Sequence, residues 1–275
     1  MPEVYEQITK KQRDWAGRHA INLEPNYYFK DIDDNLFGGL DSNTRVEFEQ
    51  GSGHELGESR KMYAPWSSSA LVTNFFQYWR RIEDIPTICA ALSLDGEYGS
   101  LTFEKKLLNP TGRGKPNLDV ELSGLREKAS EPSVVGIESK FTELYRSGKK
   151  NEMENEYLNP AIWGDKFQAL FKLASEIHGR KVEFANFDAA QALKHMLGMF
   201  TTYSNRRLRM ICLWYEVESS EAKIFREKLD LFKECVADSF DFVSLTYQEL
   251  FQSLRTICGD KHSAYMNYLE KRYLS

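Results

Sequence analysis

A chain of 275 residues with 41% hydrophobic, 13% aromatic and 28% charged side chains can bury the core of one large domain or two small ones, which excludes wholesale disorder. Its formal net charge of −5 excludes a uniformly basic nucleic-acid coat, although a nuclease needs only a local basic surface. The four cysteines, Cys89, Cys212, Cys235 and Cys258, form no CxxC pair, so they read as buried thiols of a reducing compartment rather than a zinc site.

The first residues, Met1 to Tyr5, lack the basic head and apolar stretch of a secretory signal. No apolar run approaches membrane-spanning length, so a cytoplasmic protein with no membrane contact is expected. Residues 2–18 place Val4, Ile8, Gln12 and Trp15 at roughly helical spacing among many charges, which predicts a surface helix. Residues 24–64 mix Asp, Gly, Asn, Ser and aromatics without period and read as an irregular extension. Residues 1–64 hold twelve acids against eight bases. Serines 67–69 then cap a helix at about 67–81, with Leu71, Phe75, Phe76 and Trp79 as its apolar stripe. A short apolar helix follows Pro86. Residues 98–108, 116–123 and 133–142 alternate or run apolar in strand fashion, with Asn109 to Gly112 as a turn. Helices are expected at 163–178, 186–203 and 219–237, with a strong strand from Leu208 to Tyr215 between the last two. A short strand at 240–245 and two further helices close the chain. The pattern predicts an α/β domain at 65–275 with a central sheet covered on both faces, forming one unit with the extension at 1–64.

The chemistry concentrates between Lys115 and Glu143. In the strand Pro116 to Leu122, alternation puts Leu118, Val120 and Leu122 on one face and Asn117, Asp119 and Glu121 on the other. In the strand Val134 to Thr142, Gly136, Glu138, Lys140 and Thr142 share the face opposite Val135, Ile137, Ser139 and Phe141. If the two strands pair, three carboxylates and one ammonium converge on a polar surface. Two carboxylates can hold Mg²⁺ while leaving it waters. The ion polarises a phosphoryl oxygen and acidifies a bound water. A lysine two residues beyond the second carboxylate can orient that water or offset the growing charge.

The Glu-x-Lys triplet carries nothing by itself. With 27 Glu and 20 Lys, chance supplies about two such triplets, and three occur, at Glu104, Glu138 and Glu221. Only Glu138 stands inside a strongly apolar strand that follows another apolar strand carrying an Asp. A charge there is costly unless it is paired or bound. A metal site and an edge-strand salt bridge both satisfy that pattern.

Pro116-Asn117-Leu118-Asp119-Val120 and Ile137-Glu138-Ser139-Lys140-Phe141-Thr142-Glu143 resemble the two motif strands of the PD-(D/E)xK, restriction-endonuclease-like superfamily. The lysine strand is similar to that of a bacterial branch of restriction endonucleases reading "ESKFTE". Ser67 to Leu71 with Asn74-Phe75-Phe76 resembles that branch's upstream helix. Gln191 to Gly198 with Ile211 to Tyr215 resembles its downstream helix and strand. The likeness spans about residues 60–217. It departs at Asn117, where many members carry Pro.

The resemblance implies a restriction-endonuclease-like three-layer α/β/α fold with a central mixed sheet. It implies a Mg²⁺-dependent endonuclease, with Mn²⁺ as substitute, acting on nucleic acid, DNA foremost, in a restriction or defence role. Asp119 and Glu138 would be metal ligands, joined by the Ser139 carbonyl, and Lys140 the catalytic lysine. Glu104 matches an upstream acid near the metal, or is a strand-surface charge. Gln191 matches a helix residue beside the active site, with Lys194 or His195 facing the substrate groove. Glu143 belongs to the narrower motif or caps the segment after the strand.

Residues 104–150 hold ten bases against seven acids. Among these, Arg113, Lys115, Lys149 and Lys150 can contact phosphates. Arg206, Arg207 and Arg209 beside Tyr203 form a second candidate patch. No HExxH, GxSxG, Walker or Rossmann pattern is present. The alternative is a catalytically inactive nucleic-acid-binding or scaffold protein with the same fold, against which the complete Asp119, Glu138 and Lys140 set argues. A homodimer would supply two sites for cutting both strands of a duplex.

Overall fold

Five apolar runs become strands in the computed structural model, which describes residues 3–51, 53–124, 132–146 and 152–275. They are β1 (Tyr98–Lys106), β2 (Asn117–Gly124), β3 (Val134–Lys140), β4 (Leu208–Trp214) and β5 (Asp241–Thr246). One sheet holds them in the order β1-β2-β3-β4-β5. The first two pairings are antiparallel and the last two parallel, so the sheet is mixed. β3 is buried along its whole length, and β4 from Met210 to Trp214, as strands covered on both faces must be.

Around the sheet lie α1 (Glu3–Arg18), α2 (Ser42–Gln50), α3 (Ser68–Arg81), α4 (Ile85–Ala91), α5 (Gln168–His178), α6 (Ala189–Thr202), α7 (Ser220–Val236), α8 (Tyr247–Cys258) and α9 (Ser263–Leu269). Side chains on β3 show which helices cover which face. Ser139 reaches the Ser68 carbonyl of α3 and the Tyr247 hydroxyl of α8. Its neighbour Lys140, on the opposite face, reaches Gln191 of α6. Trp214 pairs with Lys140 across the sheet and packs on Phe225 of α7. The result is the three-layer, open α/β fold of a restriction-endonuclease-like domain. No helix among the described residues is long and apolar enough to cross a membrane.

Several element boundaries differ from expectation. The helix expected at 163–178 begins only at Gln168, because two tight 3₁₀ turns and Gly164, at φ +60°, precede it. The lysine strand ends at Lys140. There Phe141 N–H donates to the Glu143 carboxylate and the chain turns away. The extension at 24–64 contains α2, capped by Asp41. Only Thr44 and Phe48 of α2 are buried, too few for a readable period.

α3 buries nearly every side, not the single stripe expected. Its polar Asn74 and Gln77 are satisfied by the extension: Asn74 bonds to Phe37 N–H and the Asn35 carbonyl, and Gln77 to Asp41 N–H and the Gly39 carbonyl. Cys89, Cys212 and Cys258 are buried, whereas Cys235 is exposed on α7, contrary to the reading of four buried thiols.

Candidate active site

Asp119 and Glu138 sit where the β2–β3 ladder opens. Val120 pairs with Ile137 and Glu121 with Gly136, and the ladder goes no further towards Asp119. Asp119 instead turns its carboxylate into the gap, where Oδ2 accepts from Ser139 N–H at 2.6 Å. On the other side β1 pairs through Phe103 and Lys105, skipping Glu104, which adopts φ +50°. That left-handed value is costly for a residue with a side chain.

The same irregularity overturns the simple alternation expected of β2. A Cβ on Gly136 would stand 2.8 Å from both a Leu118 methyl and the Met199 sulfur of α6, so Leu118 lies on the α6 face, away from Val120 and Leu122. Glu121 keeps to the α6 face but does not line the cleft that opens over Asp119 and Glu138. It is 3% exposed and is held by the Tyr203 hydroxyl, Ser123 and Lys105. The expected trio of carboxylates is therefore a pair plus a distant structural acid.

Glu138 is clamped between two groups. Lys140 Nζ donates to Oε1 at 2.6 Å, and His195 Nδ1 of α6 stands 3.2 Å from Oε2. Burial raises the Glu138 carboxyl, but Lys140 and His195 outweigh it and bring it down to about 2. For Lys140, burial opposes the charge, and Glu138, Glu143 and Asp119 overcome it, so its pKa rises. Its ammonium also donates to Gln191 Oε1 at 2.9 Å. Asp119 goes the other way: burial, then the charges of Glu138 and Glu104, raise it well above the usual carboxylate range.

A cleft of about 550 Å³ opens over this junction and is lined by Asp119, Glu138, Gln191, Lys194 and His195. Glu104 lines it too and accepts from Asn117 at 3.1 Å. Burial lifts the Glu104 carboxyl to about 7. Arg113 and Lys115 stand on the rim. Arg113 pairs with Glu156 at 2.5 Å and Lys194 with Glu154 at 3.0 Å, so acids in and just before the 3₁₀ turn Asn155–Leu158 already face these cations. Glu143 accepts from Phe141 N–H, two residues before it, rather than capping the turn at Glu143–Tyr145 that follows. The second basic patch is largely engaged: Arg206 bonds Ser133 and the Gly124 carbonyl, and Arg209 pairs with Asp241. Lys149 and Lys150 lie outside the described residues, as do Arg126 and Lys128.

Glu55 is the participant that sequence reasoning missed. It lines the cleft, beside Lys61 at 3.7 Å, and burial raises its carboxyl. It comes from the aperiodic extension, where no pattern marks an acid as buried.

Among the described residues no three His, Cys, Asp or Glu side chains gather closely enough to enclose an ion by themselves. Mg²⁺ does not require that, because it binds through one or two carboxylates and keeps its waters. Asp119 and Glu138 supply that number. In an extended strand a residue's N–H and C=O point to the same side. The Ser139 carbonyl therefore faces the Asp119 side, while the Lys140 carbonyl accepts from Tyr215 N–H on the β4 side. Two buried polar atoms of cleft residues, Asn117 Oδ1 and His195 Nδ1, have no hydrogen-bond partner. The Asp119 and Glu138 carboxylates, beside the unpartnered Asn117 acceptor, fit a divalent cation that keeps its waters. Residues 7–274 match the family described as Restriction Endonuclease associating with ARP. No curated protein and no solved structure matches the chain.

Proposed function

Because the chain belongs to the family of restriction endonucleases associating with ARP, we propose that its acidic cleft hydrolyses phosphodiester bonds of nucleic acid, DNA foremost, with a divalent cation. The observation that carries this reading is the β2–β3 junction, where Asp119 bridges to Ser139 N–H, Glu138 lines the cleft beside it, and the buried Lys140 is bonded to the cleft residues Glu138 and Gln191. Asp119, Glu138 and the Ser139 carbonyl would hold Mg²⁺, or Mn²⁺ in its place. The bound ion supplies a polarised phosphoryl oxygen and a more acidic water.

The chain's own residues do the rest. Lys140 keeps its proton, so it donates to the attacking water or to the oxygen on which charge grows. Gln191 accepts from the same ammonium and holds it over the gap. Arg113, Lys115 and Lys194 meet the flanking phosphates. Exposed ion pairs such as those with Glu154 and Glu156 are worth little, and phosphates can take over their cations. A homodimer would bring two clefts to one duplex, in a cytoplasmic restriction or defence role.

The test is cleavage of duplex DNA, single-stranded DNA and RNA by the purified chain, with Mg²⁺, with Mn²⁺ and with chelator, beside Asp119→Asn. Metal-dependent cutting lost in the variant is expected. Cutting that persists in excess chelator, or in Asp119→Asn, rejects the assignment.

A further inference from the structure

We propose that a second pocket, at the starting ends of β4 and β5, binds a phosphate ester, with Arg207 and Lys166 as the cations that meet it. The pocket has a volume of about 240 Å³ and shares no lining residue with the acidic cleft. It opens at Leu208, whereas the cleft lies at the level of Cys212, the partner of Glu138 across the sheet. Four residues of strand, about 13 Å, separate the two levels. On α6, Gln191 turns to the cleft, and Phe200, about two and a half turns further on, lines the pocket from the opposite side of the helix. The pocket therefore stands apart from the chemistry assigned to the cleft.

Its charge is one-sided. Lys166, Arg206, Arg207 and Arg209 line it, and among the described residues Asp241 is the one acid that does. Asp241 is engaged by Arg209, whose Nε stands 2.8 Å from Oδ2. Arg206 is turned to the backbone and donates to the Ser133 and Gly124 carbonyls. Arg207 is pinned through its main chain, its carbonyl accepting from Ser133 and Val134 N–H. Its exposed guanidinium meets no acid, carbonyl or ring among the described residues. Lys166, from the 3₁₀ turn Asp165–Phe167, holds its ammonium 5.4 Å and 5.9 Å from the Phe167 and Phe200 ring centres. Aromatic faces steady an ammonium without neutralising it. A guanidinium fork beside an ammonium is what phosphate oxygens accept, and the half-buried Phe200 ring gives the attached sugar or base an apolar wall. The pocket is smaller than the roughly 300–1,000 Å³ that encloses a whole drug-sized ligand. It takes the phosphate and leaves the rest of the ligand outside, so the ester can belong to a nucleic-acid strand or to a free nucleotide.

The test is binding by the full-length chain in chelator, with a fluorescein-labelled thymidine oligonucleotide followed by anisotropy and ATP followed by calorimetry. Lys166→Gln/Arg207→Gln is expected to weaken one of these probes about tenfold or more, and replacing Arg207→Gln by Arg207→Glu to weaken it further. For the oligonucleotide the salt dependence should also become shallower by about 1.4, two phosphate contacts at about 0.7 each for a single strand. A loss on the oligonucleotide alone assigns the ester to a strand, and a loss on ATP assigns it to a free nucleotide. Wild-type affinity for both probes in the double variant overturns the pocket, as does failure of the wild type to bind either. Both substituted side chains are exposed, so the variants should keep the wild-type melting temperature. Neither arm reads cutting, so the outcome is independent of whether the cleft proves to be a nuclease.

Discussion

Lys140 is the residue whose environment speaks most directly. Its ammonium is buried between Glu138 and Gln191, and the surrounding carboxylates keep it charged. Lys140→Ala should lower turnover about a hundredfold or more while changing nucleic-acid affinity only a few-fold, since the contribution is to the transition state. Single-turnover cleavage and filter binding separate the two, and wild-type turnover in the variant would make Lys140 a structural charge. Glu104 allows a second prediction, on stability. Its folded carboxyl stands at about 7, against about 4.3 in an unfolded chain. Between those values the folded protein holds a proton that the unfolded chain has released, so stability falls as pH rises from about 4 to about 7. In chelator, Glu104→Gln should lose less stability than wild type between pH 5 and pH 8, by on the order of 1–3 kcal/mol. Parallel melting curves for the two proteins across that range would show that Glu104 is not held protonated.

At the scale of elements, α6 and the β2–β3 pair make the site together. α6 buries Leu193, Met196 and Leu197 against the sheet, as its spacing predicts, and turns Gln191, Lys194 and His195 to the cleft. Asp188 caps the helix by accepting from Gln191 N–H, which fixes the first turn where Gln191 points to Lys140. Gln191→Ala should slow cleavage about tenfold, the size of change expected when an orienting partner is lost. Its melting temperature should stay close to wild type, because Gln191 is only half-buried and packs no core. A variant that cuts at full speed would leave Gln191 as a bystander. The close seat of α6 depends on Gly136, where a Cβ would meet Leu118 and Met199 at 2.8 Å. No periodicity in the sequence identifies that contact.

At the scale of the whole molecule, α1 packs on the segment Glu270–Leu274, while Tyr265 and Tyr273 bond Asn74 of α3. Arg272 is fully buried among Trp15, Phe29, Tyr268 and Tyr273, and its guanidinium bonds Gln12 and Asn35. Val4 and Ile8 of α1 belong to the same core as the strands. Arg272→Ala would leave the Asn35 and Gln12 groups buried and unsatisfied, at a cost of about 3 kcal/mol or more. A urea titration should show this as a lowered midpoint with a single transition. An unchanged midpoint would mean that the ends contribute nothing to the fold.

Periodicity in the sequence was enough to place β4, α6, α7 and the helix cap at Ser67, because each buries an apolar face of regular spacing or ends in a recognisable cap. The motif strands likewise singled out Asp119, Glu138 and Lys140 as candidates, since a charge inside an apolar strand is costly unless paired or bound. Other features depended on contacts between distant segments. α2 was hidden because it buries only Thr44 and Phe48. Glu55 entered the cleft from an aperiodic loop, and Glu121, on the expected face, was drawn off by Tyr203. Leu118 changed sides because the ladder opens at Asp119, and local alternation does not report where pairing stops. The physical reason is one of range. Alternation and helical period are set by a residue's own backbone, whereas burial of a polar group and the opening of a ladder are decided by partners tens to hundreds of residues away.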